Sequence, residues 1–324
     1  MSHRRLRMAF LMDPIEGIDV RADTTWALMR EAELRGHELF YLELDDLWVD
    51  GGRPAARLRP IRLDPSRRPP AHLGEVRDRV LDEAVDVLFQ RKDPPVDDAY
   101  VRATQLLTLC RRALVLNRPQ GILAANEKLY ALHFADLMPE TRVSRRIGDL
   151  LQFLELVDGE MIVKPLEGRG GEGIFHVHRE DRNLHSILEQ STAFETRWVM
   201  AQRYLPQIRT EGDKRILLVD GEPLGAIWRV PGEGEVRANL HVGGRAVKAS
   251  LDERDREIAD RLSPALRRDG LFFVGIDVIG GYLTEVNVTS PTGIQEMSRL
   301  DGVVHETRVI ERVEALAATE LPPE

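Results

Sequence analysis

Cysteine is almost absent from this chain of 324 residues. With Cys110 as the single cysteine, no disulfide can form within the chain, and nothing in the composition indicates an oxidising compartment. Cys110 lies in the segment VRATQLLTLCRRA, on the apolar side of an expected helix. We therefore expect a buried structural thiol there and not a nucleophile.

Long apolar runs and an excess of basic residues are also lacking. The start MSHRRLRMAFLMDP leads into only about five apolar residues, too few for a signal peptide. No stretch approaches the roughly 18 apolar residues of a membrane span. The net charge of −9 argues against a general nucleic-acid binder, because such proteins present many cations to phosphates. We expect a cytoplasmic protein that binds neither nucleic acid nor membrane.

What is present is the pattern of a globular protein with two or three domains, at 43% apolar and 31% charged residues. In the first third, expected strands such as RMAFLM and VDVLFQ alternate with expected helices, which predicts a parallel sheet. Asp13 and Arg91 follow two of these strands in the turns MDPIEG and QRKDPP. Ligands bind beyond the carboxyl ends of such strands, although ordinary strand-to-helix connections would look the same.

Two further regions differ from this pattern in composition or in the order of their expected elements. Residues 51–72 are rich in arginine and proline, so we expect a solvated loop or a ragged hairpin, with a basic patch for an anionic partner as the alternative. From about residue 122, a helix over NEKLYALHFADL is followed by strand-rich segments with hairpin turns. These segments predict an antiparallel or mixed sheet.

A glycine-rich loop lies in the segment IVKPLEGRGGEGIF, which spans residues 162–175. GRGGEG matches G-x-G-x-x-G, but the strand pattern IFHVH follows it where a dinucleotide site needs a helix. Glycines between two strands can cover phosphates, because backbone N–H groups then approach the anion closely. Lys164 adds a positive charge at the base of the loop. This segment alone fits a flexible hairpin loop equally well.

Three oxygen-bearing side chains lie in GIDVIGGYLTEVNV, namely Asp277, Glu285 and Asn287. Glu285 and Asn287 are two residues apart on one strand and share a face. A regular two-residue turn at residues 280–281 would place Asp277 opposite Thr284. We therefore predict a three-residue or bulged turn that brings Asp277 opposite Glu285. Two carboxylates and an amide suit Mg²⁺, and a half-exposed hairpin without ligand is the alternative.

Two smaller features complete the pattern. In TSPTGIQEMSRL, Ser290 can cap a helix with Pro291 at its first position, and a helix N-terminus is an anion site. His176 and His178 have the i, i+2 spacing of metal ligands on a strand, but no third ligand is near them in the sequence. We expect no zinc site from them.

The chain resembles the ATP-grasp ligases and, more narrowly, the bacterial glutathione synthetases. The resemblance rests on phrases that run in order from residue 12 to residue 294: MDPI, RKDPP, NEKL, KPLEGRGG, AQRYLP, GDKRILLVDGEP and TEVNVTSPTGI. It implies an α/β, or α+β, multidomain ATP-grasp fold. Residues 1–121 would form a Rossmann-like N-terminal domain, residues 122–200 a small lid domain with the glycine loop, and residues 201–324 a C-terminal domain with a mixed or antiparallel sheet and the Mg²⁺ site.

The same resemblance implies the roles of individual residues. The residues that would bind ATP are Lys128, Lys164, Gly170, Gly171, Gln202, Tyr204, Leu205 and Asp213. Those that would hold metal are Asp277, Glu285 and Asn287, with two Mg²⁺ expected and Mn²⁺ as the alternative ion. Those near the transferred phosphate would be Arg215, Arg229 and Asn239, and those near the other substrates would be Asp13, Arg91, Ser290, Thr292 and Gly293.

The reaction implied by the resemblance joins γ-glutamylcysteine to glycine through an acyl phosphate made with ATP, in a homotetramer. Three rivals remain at this point: an ATP-grasp ligase for another acid and amine, a catalytically silent nucleotide-binding regulator, and a nicotinamide dehydrogenase. One departure from the family is Gln295, where we expect arginine after SPTGI. Its replacement puts in doubt a salt bridge at that position.

Overall fold

A computed structural model describes residues 4–168, 170–230, 232 and 244–321 of the chain. Within these residues the strands form three separate sheets. None of the helices there is long and apolar enough to span a membrane.

The first sheet has a parallel centre, as the strand–helix alternation predicted. Its strands are β1 (Arg7–Leu11), β2 (Glu38–Leu42), β3 (Leu47–Asp50), β4 (Arg53–Leu63), β5 (Ala71–Leu73), β6 (Arg77–Val80), β7 (Val87–Gln90) and β8 (Leu114–Leu116). The neighbours β2, β1, β7 and β8 are parallel, and β4 extends the sheet with antiparallel pairs. The carboxyl ends of β1 and β7 therefore lie side by side and place Asp13 and Arg91 at one edge of the sheet.

Of the two forms expected for residues 51–72, a solvated loop or a ragged hairpin, the structure has the hairpin, although its first strand is longer and more regular than expected. Residues 53–63 form β4, which pairs with β3 and β6 through its first half and with β2 and β5 through its second half. Pro54 and Pro60 occur within this strand, opposite Val49 and Phe40 respectively. Pairing with these neighbouring strands therefore keeps residues 53–63 in an extended strand in spite of the two prolines.

The second and third sheets are antiparallel. The second consists of β9 (Thr141–Ser144), β10 (Glu160–Pro165), β11 (Phe175–His178) and β12 (Val199–Arg203), in the order β11-β10-β12-β9. The third consists of β13 (Asp213–Val219), β14 (Glu222–Val230), β15 (Arg245–Lys248), β16 (Phe273–Ile279) and β17 (Tyr282–Asn287), in the order β15-β14-β13-β16-β17.

The helices cover the faces of these sheets. They are α1 (Thr24–Leu34), α2 (Leu81–Ala84), α3 (Asp98–Leu107), α4 (Pro119–Ala124), α5 (Ile147–Leu156), α6 (Leu184–Ser191), α7 (Gln207–Thr210), α8 (Glu253–Asp269), α9 (Ile294–Asp301) and α10 (His305–Glu320). One apolar core joins β1 and α1 to β13, β14, α9 and α10, so the two ends of the chain pack together. The second sheet has a core of its own with α5 and α6.

Three local expectations need correction. The predicted helix over NEKLYALHFADL is a turn followed by a 3-10 helix over Tyr130–Leu137. Cys110 lies just beyond the end of α3, is only partly buried, and packs against the core on that side of the first sheet. Ser290 does not cap a helix, because α9 begins at Ile294 after Gly293 in a left-handed conformation.

Candidate active site

A cleft of about 520 Å³ is lined by residues of the second and third sheets and of the loops beside them. The predicted site residues that line it are Lys128, Lys164, Gly170, Gly171, Gln202, Tyr204, Leu205, Asp213, Arg215, Arg229, Asp277, Glu285, Asn287, Ser290 and Thr292. Asp13, Arg91 and Gly293 do not line it, and Asn239 lies outside the described residues.

The β16–β17 hairpin has the bulged form that the sequence predicted. Ile279 pairs with Tyr282 across a two-residue turn, yet Asp277 pairs with Glu285 because the register shifts beside Thr284. Asn287 follows on the same face, and its Nδ2 donates to Asp277 Oδ2 at 3.3 Å. The bulge thus brings the three oxygen-bearing side chains together, as the metal hypothesis required.

Asp277 is the centre of a buried ionic network. Arg215 donates to both of its oxygens, Nε to Oδ1 at 2.5 Å and Nη2 to Oδ2 at 3.1 Å, and Arg229 Nη2 lies 2.8 Å from Oδ2. Burial opposes ionisation of Asp277, but the two guanidinium groups outweigh it and hold its pKa well below the usual range. Asp277 is therefore a carboxylate at neutral pH.

Asp213 shares Arg229 with Asp277 in this network. Burial raises the pKa of Asp213 to about 6, and the attraction of Arg229 offsets only part of that effect. The site thus holds two neighbouring carboxyl groups of very different acidity.

The two lysines of the cleft contact different groups of β17. Lys128 Nζ lies 2.9 Å from Glu285 Oε1, and Lys164 Nζ donates to the carbonyl oxygen of Thr284 at 3.2 Å. Burial raises the energy of charged Glu285, but Lys128 and Lys164 outweigh it and lower the pKa of Glu285. Burial lowers the pKa of Lys164 to about 8, while Glu285 more than offsets burial at Lys128 and raises the pKa of that lysine. The bulge at Thr284 therefore also supplies the acceptor that fixes Lys164.

Glu127 is a residue of the cleft that the sequence reasoning missed. Its Oε1 accepts hydrogen bonds from Val288 N, Thr289 N and Thr289 Oγ1 at 2.9–3.1 Å, and its backbone oxygen accepts from Val286 N. Glu127 thereby attaches the turn that presents Lys128 to the end of β17. Its position beside Lys128 in NEKL was the available signal, but no local pattern distinguishes it from a surface glutamate.

One part of the cleft is apolar. Tyr204 and Ile208 are buried there, and the partly buried Ile162 of β10 and Ile279 of β16 pack against them. Gln202, at the edge of this group, donates through Nε2 to Thr141 Oγ1 at 3.0 Å. An apolar slot of this kind suits the ring of a purine base.

The glycine-rich loop connects the antiparallel neighbours β10 and β11, as expected. All four glycines of residues 168–173 have positive φ, from 65° at Gly170 to 122° at Gly168. Side chains rarely adopt this conformation, so the shape of the loop depends on glycine. Gly170 and Gly171 lie at the wall of the same cleft as Lys164.

At the end of the first sheet, Asp13 and Arg91 are in different environments. Asp13 receives the backbone N–H of Asp93 at 2.8 Å and pairs with Lys92 Nζ at 2.8 Å. Arg91 is buried, and its guanidinium donates to Thr25 Oγ1 and to the carbonyl oxygen of Pro291. Arg91 thus holds the loop between β17 and α9, and does not reach the cleft.

Two residues of that last loop region have structural contacts. Ser290 Oγ donates to the carbonyl oxygen of Arg91 at 3.2 Å. Gln295 Nε2 donates to the carbonyl oxygens of Val20 and Asp23 at 3.3 and 2.6 Å. The neutral amide of Gln295 therefore ties α9 to the segment before α1, and it is not part of a salt bridge.

The donor set at the hairpin fits a hard divalent cation. Asp277 and Glu285 are ionised, lie on directly paired positions and line the cleft with Asn287. Mg²⁺ prefers such oxygen ligands and is commonly held by one or two carboxylates together with substrate phosphates.

Comparison with known proteins identifies the family. Residues 6–122 match the N-terminal domain of prokaryotic glutathione synthetase, and residues 127–302 match its ATP-grasp domain. The chain belongs to the prokaryotic glutathione synthetase family. It is 51% identical to the glutathione synthetase of Gloeobacter violaceus over 94% of this chain and 96% of that protein. It is 44% identical to that of Pseudomonas aeruginosa over 97% of this chain and 98% of that protein.

Solved structures confirm the ATP-grasp fold. The D-cycloserine synthetase DcsG superposes with a TM-score of 0.67 at 15% identity and covers 95% of this chain and 99% of its own. A RimK domain ATP-grasp protein from Sphaerobacter thermophilus gives 0.61 at 15% identity, with coverages of 94% and 98%. The predicted fold class and resemblance are thus confirmed. The chain is an ATP-dependent ligase that forms a C–N bond, and its family uses ATP and divalent metal ions.

Proposed function

We propose that this chain joins γ-glutamylcysteine to glycine at the expense of ATP, with all chemistry in the cleft between the second and third sheets. The observation that carries the proposal is the convergence of two lysines, two arginines and two ionised carboxylates on one cleft beside a glycine loop. Phosphoryl transfer depends on such positioning and charge neutralisation. Family membership supports the substrates.

In this proposal ATP binds with its adenine in the apolar slot of Ile162, Tyr204 and Ile279. Gln202 and Leu205 border the same slot. The triphosphate extends toward Lys128 and Lys164, whose ammonium groups neutralise it, and Gly170 and Gly171 close over it. The apolar lining and the two buried cations support this orientation.

Asp277, Glu285 and Asn287 would hold divalent cations, and we propose two Mg²⁺, with Mn²⁺ as a substitute. The metals would neutralise the phosphate oxygens during transfer. Without metal, the same carboxylates are neutralised by Lys128, Arg215 and Arg229. A metal that binds these carboxylates would therefore free the side chains of Lys128, Arg215 and Arg229 to contact the phosphate.

The chemistry proceeds in two displacements. An oxygen of the cysteinyl carboxylate attacks the γ-phosphorus of ATP, and the bond from that phosphorus to the bridging oxygen of ADP breaks. The glycine nitrogen then attacks the acyl carbon, an amide bond forms, phosphate departs with the electron pair of the C–O bond, and the amine proton passes to solvent. Arg215 and Arg229 stabilise the negative charge on the transferred group. Asn239 is assigned near them by resemblance alone.

No protein nucleophile takes part in this scheme. Cys110 packs beside the first sheet, away from the cleft residues, and burial raises the pKa of its thiol to about 12. A thiol with that pKa is protonated at neutral pH and a poor nucleophile.

The acid and amine would bind where the end of the first sheet meets the loop after β17. Asp13 with its partner Lys92 offers charged groups there, and Thr292 and Ser290 line the adjoining cleft. Arg91 and Gly293 act indirectly. Arg91 donates to the carbonyl oxygen of Pro291, and Gly293 is the residue directly before the start of α9. Arg91 is thus a residue that positions this loop.

We propose a cytoplasmic homotetramer whose protomers divide into residues 1–121, 122–200 and 201–324. The first and third sheets fall within the first and last of these ranges, which supports the division, while β12 of the second sheet (Val199–Arg203) crosses the boundary at residue 200.

A trapping experiment tests the acyl phosphate directly. Incubation with Mg-ATP, γ-glutamylcysteine and hydroxylamine, without glycine, is expected to give the hydroxamate of the cysteinyl carboxyl, identified by fragmentation in a mass spectrometer. A hydroxamate on the glutamyl carboxyl, or ATP hydrolysis without any hydroxamate, would contradict the proposed first step.

A further inference from the structure

Three possible metal ligands come together on the second sheet, outside the catalytic groups. His176 and His178 lie on β11, and Glu160 lies on β10 directly opposite His178. One ligand atom of each lies within 4.8 Å of the others. The sequence did not show this third ligand, because Glu160 precedes the histidines by the whole glycine loop.

The distances in this cluster suit a tetrahedral ion. Glu160 Oε1 lies 3.1 Å from His176 Nε2 and 3.2 Å from His178 Nδ1. Ligand atoms about 2.0–2.1 Å from Zn²⁺ in a tetrahedron are about 3.3 Å from one another. An ion placed among the three groups therefore needs little movement of the side chains.

The nitrogen of His176 provides a second, independent observation. Its side chain is only 8% exposed, and its buried Nε2 has no well-aligned hydrogen-bond partner among the described residues, although Glu160 Oε1 lies 3.1 Å from it. Buried polar atoms of this kind are uncommon and call for a missing partner.

We propose that Glu160, His176 and His178 bind one divalent cation of the Zn²⁺ class. Two imidazoles and a carboxylate are a ligand set that Zn²⁺ accepts with a fourth position open. Glu160 and His178 are 41% and 51% exposed, so solvent reaches the ion and can supply that fourth ligand. The site is separate from the oxygen ligands of β16 and β17.

The ion would act on the nucleotide cleft through two contacts. The ring of His176 stacks on Tyr204 with centroids 3.9 Å apart, and Tyr204 lines the cleft. The metal would also connect β10 to β11, the two strands that carry the glycine loop. A bound ion therefore fixes both the aromatic wall of the cleft and the base of the loop.

Spectroscopic titration tests the proposal on the full chain, without an affinity tag and after removal of metal by a chelator. Co²⁺ added in the presence of excess Mg²⁺ is expected to bind at one ion per chain, with the strong visible absorption of tetrahedral Co²⁺, and Zn²⁺ is expected to displace it. His178→Ala and Glu160→Gln should each weaken binding at least about 10-fold. Both side chains are partly exposed, and circular dichroism verifies that the variants fold.

Two matched variants separate this site from other ligands. His185→Ala removes an exposed histidine of α6 and should leave Co²⁺ binding unchanged. Asp277→Asn, at the proposed Mg²⁺ site, should also retain it. Co²⁺ binding that persists in His178→Ala and Glu160→Gln, or that is lost in Asp277→Asn, would overturn the proposal. Neither result depends on turnover, so the ligase proposal is tested separately.

Discussion

Lys128 and Lys164 occupy the same cleft but differ in what neutralises them. Lys128 pairs with the Glu285 carboxylate, whereas Lys164 contacts only a carbonyl oxygen of the bulge among the described groups within hydrogen-bond distance. Burial therefore dominates at Lys164 and lowers its pKa to about 8. The charge of Lys164 is the more sensitive of the two to pH.

This difference predicts a pH dependence of nucleotide binding. Lys164 carries its charge below about pH 8 and loses it as the pH rises, so the dissociation constant of Mg-ATP should increase between pH 7 and pH 9. Lys164→Met should bind Mg-ATP about 10- to 150-fold more weakly at pH 7, since a hydrogen bond to a charged group contributes about 1.5–3 kcal/mol. Calorimetric titration at several pH values measures both effects.

Lys248→Met, which removes an exposed lysine of β15, is the control and should keep the wild-type pH dependence. An equally steep rise of the dissociation constant in Lys164→Met would show that another group titrates.

The lowered pKa of Lys164 also has a consequence for stability, because the unfolded chain keeps the proton of this lysine to a higher pH than the folded protein does. As the pH increases from about 8 to the ordinary lysine pKa of 10.5, the contribution of Lys164 alone should increase the free energy of unfolding.

Glu285 is the residue on which the metal assignment depends most. Glu285→Ala should lower kcat by at least about 100-fold, as expected when a transition-state charge loses its stabilisation, while the protein stays folded. Initial rates of phosphate release and circular dichroism measure the two properties. Glu222→Gln changes an exposed glutamate of β14 and should have wild-type kcat. A Glu285→Ala enzyme with near wild-type kcat would remove the metal assignment.

At the scale of elements, the glycine loop between β10 and β11 offers the sharpest test. Gly170 has a φ of +65°, and a Cβ added there would meet no atom within 4 Å. Gly170→Ala therefore adds backbone strain of about 1–2 kcal/mol without a steric clash. Because the loop must take this shape over the phosphates, kcat/KM for ATP should fall about 5- to 30-fold.

The control for the loop is Gly148→Ala in α5, where an added Cβ also meets nothing within 4 Å and φ is not positive. It should leave kcat/KM for ATP unchanged. Equal effects of the two substitutions would indicate a general loss of stability and not a role of the loop.

Elements with local signals could be predicted from the sequence, and elements that depend on distant partners could not. The alternating pattern of β16 and β17 and the chemistry of Asp277 and Glu285 together predicted a bulge, which the structure has. In contrast, the strand β4 depends on pairing with β2, β3, β5 and β6, and its local composition suggested only a solvated loop or a ragged hairpin, without a regular strand interior.

The start of α9 shows the same limit at the site. Ser290 and Pro291 have the residue types of a helix start. However, the Arg91 guanidinium donates to the carbonyl oxygen of Pro291, and Ser290 Oγ donates to the carbonyl oxygen of Arg91, which holds both residues outside the helix. Arg91 is far away in sequence, so this competition is invisible locally. Glu127 and the third ligand Glu160 escaped the sequence reasoning for the same reason, since their partners lie on other elements.

At the scale of the whole molecule, α1 and α10 join the two ends of the chain. Glu314 of α10 accepts from Arg35 at 2.9 and 2.7 Å and lies 2.9 Å from His37 Nε2. Apolar residues of both helices pack in one core with β1 and β13. The first and third sheets should therefore unfold together.

Glu314→Ala tests this connection. It should lower the free energy of unfolding by about 3 kcal/mol, because it leaves Arg35 and buried His37 without their shared carboxylate. The hydrogen bond from Arg35 lowers the pKa of Glu314, so its contribution is present above the ordinary value of 4.5 and is lost as the pH falls below it. Urea unfolding followed by tryptophan fluorescence measures the change.

The matched control is Glu311→Ala, one turn earlier on α10 and 54% exposed. It should cost less than about 1 kcal/mol, as surface ion pairs do. If Glu314→Ala unfolds no more easily than Glu311→Ala, the joint between α1 and α10 contributes little to the stability of the whole molecule.

The central claim is that this molecule ligates γ-glutamylcysteine and glycine with ATP. The most direct measurement is phosphate release from Mg-ATP with γ-glutamylcysteine, with and without glycine, together with a mass spectrum of the product. We predict phosphate release that depends on glycine and a product with the mass of glutathione. Phosphate release that requires a different acid or amine, or no release with this pair, would contradict the account.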